Sequence, residues 1–284
     1  MKLFKFTGKF SPKDSKNKLD IMNNILIDNY IKQNLHNDSK YLNPKKLGKY
    51  EHQSYSQNGE DGIIQEIFKR IGVTNKFFVE FGVGNGLECN SLLLLLQGWK
   101  GCWLEGNPKN ILKIYDKFGF LINEKKLAVK QAFITAENIE KLFESLSVPQ
   151  DLDLLSIDID GNDYWVWQAI KSYSPRVVII EYNAMFKPPV EFIVNYDADK
   201  LYSITSHLGA SLKSLEILGL SKGYKMVGCN FTGVNAFFVR EDLVKEKFLE
   251  PFTAENHYEP PRYFLCTKTG HKRDFGTFEN TAVV

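Results

Sequence analysis

Three alternate glycines, Gly82, Gly84 and Gly86, follow directly on the apolar run Phe77 to Phe81, within which Glu80 is the one acid. A buried strand that runs into such a turn brings its carboxyl end to a ligand. Glycine takes positive φ and lets backbone approach closely, and the first amides of the next helix point at the same place. A dinucleotide fingerprint would need its third glycine where Leu87 stands, so the spacing argues against NAD. It fits S-adenosylmethionine (SAM), with the glycine backbone toward the methionine carboxylate and Glu80 toward the ammonium group. A tight turn in any α/β protein would look the same in isolation. The second acid is what narrows the reading: Glu105 ends the apolar run Cys102 to Leu104, nineteen residues after Gly86. In doubly wound folds the acid that ends the second strand binds ribose hydroxyls, about 20 residues beyond the glycine turn. Asn107, just after it, Gln57, on the helix expected to cover the cofactor, and Asp158, at the end of the fourth apolar run, complete the candidate cofactor set.

A second group of acids suits the chemistry that such a cofactor supports. Methyl transfer from a sulfonium is an in-line displacement, so a protein mainly supplies position and a reactive nucleophile. An aliphatic hydroxyl holds its proton about as tightly as water, with a pKa of about 15.7, and needs a base or a metal that lowers that value. Asp158, Asp160 and Asp163 cluster at the end of one apolar run, and Glu181 ends the next. Crowded carboxylates raise one another's pKa or bind a cation. Asp160 and Asp158 are therefore the catalytic candidates, and a divalent cation is a second possibility. A competing structural reading has Asp163 capping a helix while Asp158 and Asp160 satisfy loop amides. His207 is a further candidate base, since imidazole titrates near neutrality. Asn183, Ser211 and Asn235 are candidates for orienting acceptor hydroxyls, against simple backbone capping. Trp165 and Trp167 read as core.

The elements that must position these groups follow from periodicity. Short apolar runs at Phe77 to Phe81, Cys102 to Leu104, Ala128 to Phe133, Leu154 to Ile159 and Val177 to Ile180 alternate with helical segments. Alternation of this kind predicts a parallel sheet with helices on both faces, and ligands bind at its carboxyl edge. A helix is expected from near Gly59 to Ile71 and another over Leu212 to Leu220. Tyr224 to Cys229 and Val234 to Val239, separated by a loop with Gly233, give a hairpin signal. The predicted fold is thus α/β: five parallel strands plus a C-terminal antiparallel hairpin, the sheet of class I methyltransferases. Residues 184–210, with Pro188-Pro189, interrupt the alternation and are expected to cover the acceptor.

Leu19, Met22, Ile25, Leu26 and Tyr30 recur at helical spacing within residues 1–50. This first segment holds eleven lysines, no arginine, four aspartates and no glutamate, against a net charge of +2 for the whole chain. It is expected to be a basic, partly helical extension, either solvated or attracting an anionic acceptor or a partner's acidic surface. Residues 51–245 form the predicted catalytic domain and 246–284 a tail. The 43% hydrophobic content supplies a core and excludes a disordered chain. The longest aliphatic run, Leu92 to Leu96, is too short to span a bilayer. Met1 to Lys18 is broken by lysines and Pro12, so no secretory segment is expected and the location is taken as cytoplasmic. Cys89, Cys102, Cys229 and Cys266 show no Cys-x-x-Cys spacing and read as reduced, buried small residues, which argues against zinc. No interleaved aromatic and basic pattern points to nucleic acid.

Ser56-Gln57-Asn58-Gly59-Glu60-Asp61-Gly62-Ile63-Ile64, the Val79 to Gly86 turn, Asp158-Ile159-Asp160-Gly161-Asn162-Asp163-Tyr164, and the Tyr224 to Val239 hairpin together resemble the FkbM-like SAM-dependent methyltransferases, over roughly residues 54–240. The resemblance implies methylation of a hydroxyl, often on a sugar or a glycosylated natural product. The Asp158 to Tyr164 segment is also similar to the fourth-strand end of macrocin-type sugar O-methyltransferases. That likeness implies Asp158 as a metal ligand and Asp160 as a general base, with Glu181 as a further metal ligand from the fifth strand. The chain departs from the second pattern in two extra residues before Tyr164 and in Glu181-Tyr182-Asn183, where paired aspartates would stand.

The leading expectation is an O-methyltransferase for a carbohydrate or nucleotide-linked sugar, with a small, anionic acceptor. Methylation of nitrogen or of a non-sugar product, and a non-catalytic SAM-fold binding module, are the alternatives. No Asn/Asp-Pro-Pro-Tyr/Phe tetrapeptide follows the fourth apolar run, which argues against the usual amino-methylating enzymes of nucleic acids. A homo-oligomer is compatible with all of these.

Overall fold

The computed structural model describes residues 12–199 and 207–265. Residues 1–11 of the basic extension, 200–206 of the expected acceptor cover, and 266–284 of the expected tail, with Cys266, lie outside the described residues. In chain order the elements are α1 (Pro12–Ile31), α2 (Glu60–Ile71), β1 (Phe77–Phe81), α3 (Leu92–Leu96), β2 (Lys100–Glu105), α4 (Pro108–Asn123), β3 (Leu127–Gln131), α5 (Ile139–Ser145), β4 (Leu154–Ile157), α6 (Asp163–Ala169), β5 (Val177–Glu181), α7 (Leu212–Ser221), β6 (Tyr224–Cys229), β7 (Asn235–Arg240), α8 (Glu241–Val244) and α9 (Ala254–His257).

The strands form one seven-stranded sheet in the order β3-β2-β1-β4-β5-β7-β6. β1 to β5 pair in parallel, β7 runs antiparallel to β5, and β6 antiparallel to β7. This is the α/β sheet of class I methyltransferases, as the alternation predicted. The strand order reverses beside β1, where β4 leaves in the opposite direction to β2, and that edge is the switch point where doubly wound sheets bind ligands.

Period-two alternation divides the sheet into two faces. Val79, Leu155, Val178, Ile180 and Phe238 join Trp167, Leu212 and Leu215 in one core. Phe78, Leu154, Val177, Ile179, Phe237 and Val239 join Ile63, Ile64 and Ile67 of α2 in the other. Each of these isoleucines is essentially fully buried, a contribution of about 1.5–3 kcal/mol apiece. On the α2 face the sheet changes character at its carboxyl edge. The positions that continue the apolar rows Phe78, Leu154, Ile179 and Phe237 are Glu80, Ser156 then Asp158, Glu181 and Asn235. A row of polar groups is therefore carried across four strands beneath the N-terminus of α2. The far edge is closed by Asp153, which accepts the amides of Thr74, Asn75 and Lys76 and pairs with Arg176 at 3.0 Å.

Three expectations are corrected. The fourth strand stops at Ile157 rather than Ile159, releasing Asp158 into the turn, and the third ends at Gln131 rather than Phe133. Helix α1 forms, yet Leu19, Met22, Ile25 and Leu26 of its apolar stripe stay exposed, and Ile27 is the side chain it buries among those described. Residues 50 and 245 are not limits of packing either. Leu35, Tyr41 and Leu265 bury together with Ile27 and Phe231 of the hairpin loop. Buried Glu259 accepts from Lys40 at 2.8 Å, from the Tyr41 hydroxyl at 2.7 Å and from Arg262 at 2.9 Å. Extension and tail thus clasp each other over the hairpin edge. Lys40 and Lys46, which donates to the Asn256 carbonyl, take part in that clasp. Cys89, Cys102 and Cys229 are free and buried. Among the described residues no helix is long and apolar enough to cross a membrane.

Candidate active site

The glycine turn is built from two opposite constraints. A Cβ placed on Gly82 would lie 1.7 Å from the Asp158 carbonyl oxygen, so the turn after β1 is pressed against the turn after β4. On Gly84, at φ +57°, a Cβ would meet nothing within 4 Å. That side of the turn is open, as backbone must be where a ligand approaches. Gly86 is a packing residue, its missing Cβ leaving room for the Trp103 and Phe118 rings.

Glu105, at the end of β2, accepts the Gly84 amide at 2.8 Å with one carboxylate oxygen and the Asn107 amide at 2.7 Å with the other. Each oxygen keeps a second acceptor site. Asn107 itself caps α4, its side chain accepting from the Lys109 amide at 2.9 Å. Gln57 is exposed in the loop before α2.

Glu80 departs from the expected arrangement. It is 3% exposed and accepts the amides of Asn90 and Ser91, both at 2.8 Å, together with the Ser91 hydroxyl. The amides that were expected to face a ligand at the start of the next helix are taken by this carboxylate, six residues and more beyond the turn's middle glycine. Glu80 is thereby the anion at the N-terminus of α3, and it braces the turn from behind.

The acids of the fourth and fifth strand ends are brought together. Asp158, Asp160 and Glu181 each offer a carboxylate oxygen, and these atoms lie within 4.8 Å of one another. Asp158 and Glu181 are half-buried and Asp160 is exposed. Burial, with Glu181, Asp163 and Asp160 close by, pushes the Asp158 carboxyl well above its ordinary range. Burial and the neighbouring Asp163 and Asp160 push Glu181 up as well. Asp160 sits in the left-handed region at φ +56°, a conformation that aspartate tolerates better than most residues. Asp163 is the first residue of α6 and caps no helix, contrary to the structural reading; it accepts the Ile159 amide at 2.9 Å and the Gly161 amide at 2.8 Å and so shapes the turn. Among the described residues no hydrogen bond reaches the side chain of Asp158 or Asp160, so these two do not serve loop amides.

Four other candidates are placed differently from expectation. His207 is not in the carboxylate cluster; its ring packs edge-on against Phe192, 5.2 Å between centroids, on the wall of a cavity of about 590 Å³. Asn183 donates to the Leu208 carbonyl at 3.0 Å and accepts the Met185 amide at 3.1 Å, holding the two ends of the 184–210 segment together. Ser211 is fully buried and caps α7, accepting from the Phe192 and Ser214 amides. Asn235 is 3% exposed and donates to Glu60 at 2.8 Å. Trp165 and Trp167 pack as expected of core residues, Trp165 also donating to the Val194 carbonyl.

Two residues not singled out from the sequence help to build the site. Asn162 donates to the Asp197 carbonyl at 2.7 Å, tying the 184–210 segment to the turn that carries Asp160. Glu60, fully buried, accepts from Asn58, Asn230 and Asn235 and links the loop before α2 to the hairpin. Both lie inside motifs that were noticed, but the partners that tie them to other segments are 35 residues away for Asn162 and 170 or more for Glu60.

Neither the family models nor the curated proteins yield a match to this chain. Solved structures do. The N-terminal domain of EvdMO1 with SAH bound is 13% identical, with 65% of this chain and 80% of that one covered and a TM-score of 0.42. An O-methyltransferase from Bacillus cereus in complex with SAH is 13% identical, with 81% and 91% covered and a TM-score of 0.41. A SAM-dependent methyltransferase from Clostridium acetobutylicum is 12% identical, with 76% and 98% covered and a TM-score of 0.38. Likeness at this level does not extend to chemistry, which rests on the residues of the chain itself.

Proposed function

We propose that this chain is a SAM-dependent O-methyltransferase acting on a hydroxyl of a carbohydrate or nucleotide-linked sugar. The observation that carries the reading is the contact of Gly82 with the Asp158 carbonyl. It sets a glycine turn open at Gly84, with Glu105 at its amide, directly against a cluster of three carboxylates. SAM, when bound, supplies an electrophilic methyl group. Glu105 has acceptor capacity left for ribose hydroxyls, and the open face at Gly84 suits close approach of a ligand to backbone. Asp160, the exposed member of the cluster, takes the proton from the acceptor hydroxyl. Alternatively Asp158, Asp160 and Glu181 would hold a divalent cation, which would lower the pKa of that hydroxyl so that its proton could pass to solvent. The donors are all oxygens, which suits magnesium, manganese or calcium rather than zinc.

A sugar acceptor is favoured by the cavity beside the turn. Phe192, Tyr196 and His207 line it, and Phe186 backs Phe192 by stacking on it at 4.1 Å, giving an aromatic surface suited to the C–H face of a sugar ring. Asn162 holds Asp197, which also lines this cavity, next to Asp160. The test is calorimetry with SAM, S-adenosylhomocysteine and NAD, on the wild type and on Gly84→Val, followed by turnover on a panel of nucleotide-sugars. SAM binding that is lost in Gly84→Val is expected. Binding of NAD in place of SAM, or unchanged SAM affinity in the variant, would overturn the assignment.

A further inference from the structure

Asn235 holds an unresolved acceptor. Its side-chain nitrogen donates to Glu60 at 2.8 Å, its oxygen has no hydrogen-bond partner, and the residue is 3% exposed. Leaving a buried polar atom unpaired costs about 1–3 kcal/mol, so an orphan of this kind calls for an explanation. The orientation is not arbitrary. Glu60 is an acceptor toward Asn235, as it is toward Asn230 and the Asn58 amide, and that fixes which end of the Asn235 amide it faces. The oxygen is thereby turned away from Glu60. Asn235 is also the register partner of Glu181 across the antiparallel β5–β7 pair. Directly opposed residues share a face, with Cβ atoms about 4.5–5.5 Å apart. The unpaired oxygen therefore belongs to the polar row that contains Glu181, whose carboxylate converges with those of Asp158 and Asp160.

We propose that the Asn235 side-chain oxygen is a neutral fourth donor to a hard divalent cation held by Asp158, Asp160 and Glu181, with Glu60 as the residue that aims it. The inference rests on the cation form of the function proposed above. An all-oxygen set of three carboxylates and one amide carbonyl matches the ligand preference of calcium, manganese and magnesium. It also gives the buried Glu60 a purpose: the loop before α2 and the late hairpin act together because one orients a ligand supplied by the other.

The test uses the full chain, with calcium or manganese alone as the probe in calorimetry and SAM titrated separately as a check on folding. Wild type should bind one cation. Asn235→Leu removes the donor oxygen while keeping the branched shape and should weaken the cation at least tenfold while SAM still binds. If Asn235→Leu fails to bind SAM, Asn235→Ala takes its place, and there too the cation should weaken at least tenfold. Cation affinity unchanged in whichever variant retains SAM binding overturns the inference. A wild type that binds SAM but no cation at millimolar concentration overturns it together with the cation form alone, and leaves Asp160 as a metal-free base. A wild type that does not bind SAM is instead a failure of the methyltransferase reading.

Discussion

Gly82 lies so close to Asp158 that a Cβ on the glycine would stand 1.7 Å from the aspartate's carbonyl oxygen. Two glycines two residues apart should therefore answer the same substitution differently. Gly82→Ala must push two backbone turns apart and also holds a side chain at φ +66°, so a destabilisation of about 2–5 kcal/mol is expected. Gly84→Ala carries only the left-handed penalty of about 1–2 kcal/mol, and the protein should fold. Its loss should appear in SAM affinity instead. Thermal melts and SAM calorimetry on the two variants separate these outcomes; equal melting temperatures would refute the contact.

Glu105 accepts the amides of Gly84 and Asn107, so it shapes the turn even without a ligand. Glu105→Ala should remove charge-assisted bonds to ribose worth about 1.5–3 kcal/mol, which is roughly a 10- to 100-fold loss in SAM affinity. Glu105→Gln keeps one acceptor oxygen and should fall in between. Calorimetry that finds the alanine variant as tight as wild type would exclude Glu105 from the cofactor site.

Much of this arrangement is legible in the sequence. Apolar runs that carry Glu80, Glu105, Asp158 and Glu181 at or near their ends mark the carboxyl edge of the sheet, since period-two alternation is local to each strand. Partnerships across the sheet were not readable. Nothing in the sequence near Asn235 says that it stands opposite Glu181, because register is a property of two strands and of the loop between them. Ser211 looked like an acceptor ligand for the same reason: a serine before a helix is equally a cap, and the Phe192 amide that completes its bonding comes from nineteen residues earlier. Glu80 misled in a more physical way. A buried carboxylate needs donors, and the nearest were the amides before α3, so it took the place that the glycine-turn pattern assigns to a ligand.

Asp160→Asn keeps the shape of the side chain and its tolerance of φ +56° while deleting the basic site. Turnover should fall by a factor on the order of 10² to 10⁴, the usual worth of a positioned base, with SAM affinity preserved. A chelator then divides the two forms of the mechanism. Activity that disappears with chelator and returns with magnesium, manganese or calcium supports a cation between Asp158, Asp160 and Glu181; indifference supports Asp160 as a free base. Nearly full turnover in Asp160→Asn would remove both forms and make His207, on the cavity wall, the next residue to replace.

The clasp between extension and tail carries its own pH signature through His257. This residue is 1% exposed, and its Nε2 lies 3.1 Å from the Leu249 carbonyl, an oxygen that can only accept, so Nε2 bears the proton and Nδ1 is left without a partner. Burial, reinforced by the positive charges of Lys46 and Lys40, lowers the His257 pKa to about 4. The unfolded chain, with an ordinary histidine pKa of about 6.5, takes up the proton first. Stability due to this group is thus complete above about pH 6.5, falls as the pH drops toward 4, and levels off below, a loss on the order of 3 kcal/mol. Half-buried Glu51 and buried Glu60 have raised pKa values, burial being the main cause, and act in the opposite sense, gaining stability on acidification. The informative quantity is therefore the difference between wild type and His257→Gln, which retains a donor for the Leu249 carbonyl. Denaturant melts between pH 8 and pH 4 should show the variant losing less than wild type on the acid side, and parallel curves would mean that His257 is not neutral and buried in the folded protein.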